Sequence, residues 1–188
     1  MLFCYVQSPA KHALSVISKD TLPKDTIVIQ DSNFEIIMKW TNKGKISTGE
    51  GDVPNNELWI KYKSGKEELM VACRNANNPD SIIGDIYAPQ LSNDKAEVYF
   101  LSAAYATSDE LHGVNLKTKQ ERAVCAANFF EIIRSGKYKN DIIVNQHRYR
   151  FKKPIGSYNW FYIVDEQGKV LKTLGESSKK FGLSAGYN

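Results

Sequence analysis

One strand–turn–strand unit recurs along this chain and limits what it can fold into. Glu57-Leu58-Trp59-Ile60-Lys61-Tyr62-Lys63 reads as a strand, Ser64-Gly65-Lys66 as a turn, and Glu68 to Cys73 as the returning partner. The unit returns as Glu110 to Leu116, the turn Lys117–Gln120, and Glu121 to Cys125. A third copy is Trp160 to Val164, the turn Asp165-Glu166-Gln167-Gly168-Lys169, and Val170 to Leu174. Leu58, Leu111 and Phe161 hold the same place in the three copies and lie roughly 50 residues apart. Further strands follow equivalent turns: Glu97 to Ser102 after Ser92-Asn93-Asp94-Lys95, and Asp141 to Gln146 after Ser135-Gly136-Lys137. Short strands joined by Gly, Asn, Asp and Ser turns pair as antiparallel meanders. A repeat of that size built from them is the sequence form of propeller blades.

The expected fold is all-β, with antiparallel meanders arranged as propeller-like blades in a small, open or partial propeller. Its domain spans residues 26–175, between an N-terminal arm or residual signal segment at 1–25 and a C-terminal tail at 176–188. Ten tyrosines, eight phenylalanines and three tryptophans support the β reading, because aromatic rings pack well on a pleated surface. Asp25 to Gln30 and Phe34 to Trp40 read as two strands around the turn Asp31-Ser32-Asn33. Gly44 to Asn56, rich in Gly, Ser, Thr, Asp, Pro and Asn, reads as a long loop. This first quarter repeats poorly, which favours the open or partial arrangement. Lys11 to Asp25 reads as a helical turn or an edge strand that Pro23 ends. The expected core is Leu58, Ile60, Val98, Phe100, Leu111, Ile143 and Phe161.

The repeats resemble the WD-type propeller repeats of the periplasmic protein TolB and its relatives over about residues 56–175. The carriers are D-K-x-x-V-Y-F-L-S (Asp94 to Ser102), followed by D-E-L-H-x-V-N-L-K-T-K-Q-E-R (Asp109 to Arg122). Asp94-Lys95 lacks the glycine of that pattern, and Asn115 stands where it has Asp, while Gly65-Lys66 and Gly168-Lys169 keep the Gly-Lys turn. The segments Tyr99 to Ser108 and Gln146 to Tyr149 also resemble exported bacterial proteins carrying Y-F-L-S-A-x-x-A-T-S and Q-H-R-Y. The resemblance implies a bacterial blade protein, periplasmic or exported. A cytoplasmic setting is the alternative. Propellers host many functions, so it implies no activity.

Composition narrows the functional classes. A net charge of +4 with lysines scattered through turns is a solvated surface rather than a nucleic-acid footprint, which gathers its charge on one face. No stretch approaches the ~20 apolar residues of a membrane span. Met1 to Val6 is apolar and Ser8-Pro9-Ala10 is small, so the start is either the tail of a secretion signal or a first strand. Three cysteines and three well-separated histidines form no metal-ligand spacing, and no cofactor motif is present. Cys73 and Cys125 are each a small buried hydrophobe, or a bridged pair if the chain is exported.

No nucleophile elbow or phosphate loop is present. The acid pairs Glu67-Glu68, Asp109-Glu110 and Asp165-Glu166 all lie in or beside turns. Two segments concentrate small residues, aromatics and arginines: Ala103 to Ser108, around Tyr105, and Gln146 to Trp160. On a strand Gln146, Arg148 and Arg150 face one way and His147, Tyr149 and Phe151 the other. The candidate binding residues are Tyr105, Ser108, His147, Arg148, Tyr149, Tyr158 and Trp160, and the expected ligand is a protein partner. The bland alternative holds Arg148 in an internal salt bridge and Tyr149 in the core. His112 reads as a satisfied structural histidine. These residues predict a non-catalytic protein-binding domain, of envelope, inhibitor or immunity type. The enzymatic alternative is a hydrolase or lyase acting on an anionic sugar or peptide, with His147 or His112 beside Arg148. Nucleic-acid binding through Arg148 to Lys153 is the weaker third reading.

Overall fold

The computed structural model describes residues 24–48, 51–74, 82–104 and 107–176. Twelve strands run in chain order through three four-stranded sheets. The first sheet holds β1 (Thr26–Gln30), β2 (Phe34–Thr48), β3 (Gly51–Tyr62) and β4 (Glu67–Ala72). The second holds β5 (Ile86–Leu91), β6 (Glu97–Ser102), β7 (Glu110–Asn115) and β8 (Glu121–Ala126). The third holds β9 (Phe129–Ile132), β10 (Ile142–Arg150), β11 (Gly156–Val164) and β12 (Val170–Gly175). Every pairing is antiparallel between consecutive strands, so each sheet is one meander blade. No helix occurs among the described residues.

The three hairpins seen in the sequence are the third and fourth strands of the three blades. Their equivalence extends to a defect. The ladder slips between Leu58 and Trp59, between Leu111 and His112, and between Phe161 and Tyr162. Each time the fourth strand carries one extra residue: Met70, Val124 or Leu174. A bulge sharpens strand twist, and its repetition gives the three blades the same curl. The turns match too: Gly65, Lys119 and Gly168 all take positive φ. Lysine fills in the second blade what glycine fills in the others.

Alternation along each strand builds two seams between the blades. Val98, Phe100, Val114 and Leu116 of the second blade pack with Ile36, Met38, Leu58 and Ile60 of the first. Tyr99, Leu101 and Leu111 face the other way and pack with Phe130, Ile142, Val144, Tyr162 and Val164 of the third. The middle blade is therefore apolar on both faces, as a doubly covered sheet must be. Asn56, fully buried, ties the first seam together. Its amide donates to Asp85 Oδ1 (2.9 Å) and Ile86 O (2.8 Å), and its oxygen accepts from Ile86 N (2.9 Å) and Cys73 Sγ (3.0 Å).

Three expectations need correction. Gly44 to Asn56 is not a long loop: β2 and β3 pair out to Thr48 and Gly51. The polar composition resembled a loop, but Pro54 falls within a ladder irregularity that needs no N–H donor. The poor sequence repeat near the start does not extend to the fold of the described residues there: Thr26 to Ala72 form a blade like the others. Phe161 is half-buried rather than core. Leu58 and Leu111 at the same blade position look toward the following sheet, and no described sheet follows the third. The other expected core residues, Leu58, Ile60, Val98, Phe100, Leu111 and Ile143, are buried. The expectations for residues 1–23, and for the tail beyond Glu176, lie outside the described residues.

Candidate functional site

Each blade has two unlike ends. At one end lie the turns joining first to second and third to fourth strands. These turns are laced between blades: Lys95 meets Asp31 at 2.6 Å, Asn93 donates to Asn140 Oδ1 at 2.9 Å, and Lys119 lies 3.3 Å from Glu68. Arg122 forks onto both Glu97 oxygens at 2.8 Å and reaches the Glu166 carbonyl at 3.1 Å. A shallow polar groove lies here, lined by Glu97, Asn115, Gln120, Arg122 and Glu166. Its main cation is already engaged with Glu97, and the groove works as a blade-to-blade clasp.

At the other end lie the connections between second and third strands. In the third blade this connection is drawn out. β9 pairs with β10 only over Ile142–Asn145, and β12 pairs with β11 only over Phe161–Val164. Gln146–Arg150 and Gly156–Trp160 continue without them as a two-stranded ribbon in the register Arg148↔Tyr158. The opposed faces expected from strand alternation are present. On one, the Arg148 guanidinium lies 5.6 Å from the Tyr162 ring centre and donates to Gln146 Oε1. Arg150 lies 5.2 Å from the Tyr158 ring, and Tyr158 meets Trp160 edge-on at 5.1 Å. On the other, His147 meets Tyr149 edge-on at 4.9 Å and Tyr149 stacks with Phe151. Stacking on rings holds each guanidinium in place while leaving most of its donors open. Arg148 and Arg150 are exposed and form no ion pair among the described residues.

The second blade's connection, 103–109, meets this ribbon. Tyr149 Oη lies 3.4 Å from Thr107 Oγ1, and Asn128 donates to Thr107 O at 3.1 Å. The two segments singled out in the sequence thus share one end of the domain. Ser108 is half-buried in that connection. Tyr105 lies outside the described residues. Tyr158 and Trp160 are half-buried and Tyr149 is 54% exposed, so the core placement of Tyr149 is overturned, and Arg148 has no salt bridge among the described residues. Sequence reasoning missed Ile155 and gave Phe151 no role, yet they are 74% and 86% exposed at the ribbon apex. A Pro beside paired lysines with no nearby acid was the available signal.

Among the described residues, neither His112 nor His147 joins Arg148 in a catalytic set. His147 Nδ1 pairs with Asn159 Oδ1 at 2.9 Å. His112 is buried, stacked on Phe100 with centroids 5.2 Å apart, and its Nδ1 lies 2.6 Å from Glu121 Oε1. Nε2 lies 3.5 Å from Glu110, and Arg74 holds the far oxygen of Glu121 at 2.7 Å. Burial alone would raise the Glu121 carboxyl, but the hydrogen bonds from His112 and Arg74 outweigh it and hold its pKa below the ordinary value. Cys73 and Cys125 are free and sit in different seams. Burial pushes each thiol up to about 11, so neither supplies a thiolate at neutral pH. Among the described residues no group of three acidic, histidine or cysteine side chains could hold a metal, and no helix is long and apolar enough to cross a membrane.

These features define an all-β domain of propeller-like blades, three of them described. No family model matches the chain, and no curated protein does. Among solved structures it is similar to an acylaminoacyl peptidase in complex with Z-Gly-Gly-Phe-chloromethyl ketone, with 12% identity and a TM-score of 0.50 over 82% of this chain. The acylaminoacyl peptidase of Pyrococcus horikoshii, in its orthorhombic and uncomplexed forms, gives 13% and 14% identity over 77% and 76% of this chain, both at a TM-score of 0.46. The chain spans 25% of the first peptidase and 23% of the others. At such identity the likeness shows the fold alone.

Proposed function

We propose that this chain is a non-catalytic protein-binding domain that docks through the end carrying the β10–β11 ribbon and the 103–109 connection. One observation carries the reading. Two guanidinium groups, Arg148 and Arg150, lie exposed on a ribbon that leaves its sheet, against the rings of Tyr162 at its base and Tyr158 within it, and neither pairs with a carboxylate among the described residues. Tyr, Trp and Arg are the types that dominate interface hot spots, and rings that immobilise a guanidinium lower the entropy lost on docking. Thr107 and Ser108 border the same surface. The resemblance of the repeats to TolB-type blades, and of two segments to exported bacterial proteins, is compatible with a periplasmic or exported setting and permits a role of envelope, inhibitor or immunity type.

The test is capture on the wild-type domain compared with Arg148→Ala and Tyr158→Ala. The expected result is a protein retained by the wild type and lost from both variants, with Tm nearly unchanged. A Tm lower by many degrees, with the same protein still retained, would make these residues structural and refute the site.

A further inference from the structure

The apex of the ribbon differs in chemistry from its root. The root carries Arg148, Tyr149, Tyr158 and Trp160. The apex, residues 151–155, reads Phe-Lys-Lys-Pro-Ile. Phe151 and Ile155 are the two most exposed large apolar side chains described, at 86% and 74%. They stand at the far end of a ribbon that has already left its sheet, and no described core receives them. Lys152 and Lys153 lie between them and Arg148 and Arg150 behind, all exposed, and no acidic residue occurs between Asp141 and Asp165.

This pattern separates a bilayer from a protein pocket. Lysine is depleted at the centres of protein interfaces, where its hydrated ammonium is costly to strip. At a membrane surface the ammonium stays in water beside lipid phosphates while the alkyl stem lies along apolar groups. The apex presents two exposed apolar side chains beside a run of exposed cations. It fits the boundary between headgroups and acyl chains, which takes apolar side chains to a shallow depth.

We propose that residues 151–155 anchor the domain peripherally on a bilayer containing anionic lipid. Phe151 and Ile155 enter the acyl boundary, and Lys152 and Lys153, with Arg148 and Arg150 behind them, engage headgroup phosphates. This role goes beyond protein docking at the ribbon root and does not depend on it. Each cation near an anionic surface contributes roughly fivefold in partitioning, and added salt screens that contribution.

The test is flotation of the purified chain with vesicles of phosphatidylcholine alone and of phosphatidylcholine mixed with phosphatidylglycerol. The wild type is expected to float with the mixed vesicles and to be released by salt. The Phe151→Ser/Ile155→Ser double variant should stay in solution. Lys152→Ala/Lys153→Ala should partition more weakly by roughly twenty-five-fold. All should keep the wild-type Tm, since these side chains are exposed. A Phe151→Trp variant should shift its emission to the blue only on mixed vesicles. A wild type that stays in solution with mixed vesicles overturns the proposal, as does equal flotation of the variants. Loss of a captured protein from the Phe151→Ser/Ile155→Ser variant, without any vesicle binding by the wild type, would assign the apex to protein docking instead. The docking reading fails separately, through Arg148→Ala and Tyr158→Ala.

Discussion

Gly168 and the Val124 carbonyl set how closely the third blade approaches the second: a Cβ added at Gly168 would fall 2.0 Å from that oxygen. Gly168 sits in the last hairpin turn at φ +80°, and Val124 is the bulged residue of β8. Gly65 holds the same turn position in the first blade at φ +83°, with nothing within 4 Å of an added Cβ. The two glycines therefore separate backbone strain from close approach. Gly65→Ala is expected to cost ~1–2 kcal/mol, the price of left-handed backbone for a residue with a Cβ. Gly168→Ala should cost about 3 kcal/mol or more, because the blades must also move apart. Chemical denaturation of the two variants checks this, and equal losses would show that the contact is unimportant.

Blade position predicts the cost of core truncation. Phe100 is fully buried in the seam between the first and second blades. Phe161 is half-buried on the face that no described sheet follows. Phe100→Ala should lose ~3–5 kcal/mol of unfolding free energy, and Phe161→Ala only ~1–2 kcal/mol. Urea midpoints of the two variants distinguish these values.

Burial raises the pKa of Glu121, but the His112 and Arg74 hydrogen bonds reverse that shift, so the folded protein holds this proton less tightly than the unfolded chain does. A carboxyl depressed by folding contributes stability above its unfolded value. That contribution is lost as pH falls through the folded one. Glu121→Gln should therefore be less stable than wild type at neutral pH, by about 1–3 kcal/mol. The gap should narrow as pH drops below the ordinary glutamate value of 4.5. Thermal melts of both proteins across that range test it, and a gap that widens on acidification would contradict the network.

The hairpin architecture was legible because its causes are local. Turn residues and two-residue alternation are written in adjacent positions, so Leu58, Leu111 and Phe161 could be aligned without knowing their surroundings. The bulges confirm that alignment. The exposure of Phe161 was not legible, because it depends on whether a sheet follows and not on its neighbours in sequence. The length of the first blade's β2–β3 hairpin was not legible for a different reason: Gly, Asn and Pro around residues 44–56 carry loop chemistry, while the ladder there is held by pairing across the hairpin. At the candidate site, the two faces of the ribbon followed from alternation. Its departure from the sheet did not, because that depends on where β9 and β12 stop.

The reading of the ribbon as a docking surface is tested most directly by site-specific photo-cross-linking. A photoreactive residue is placed at Tyr158 in one protein and at Gly65, on the opposite end of its blade, in another. Both are exposed to the captured partner under identical conditions. The account predicts a covalent adduct from position 158 and none from position 65. An adduct from position 65 alone, or equal adducts from both, would contradict docking through the ribbon end.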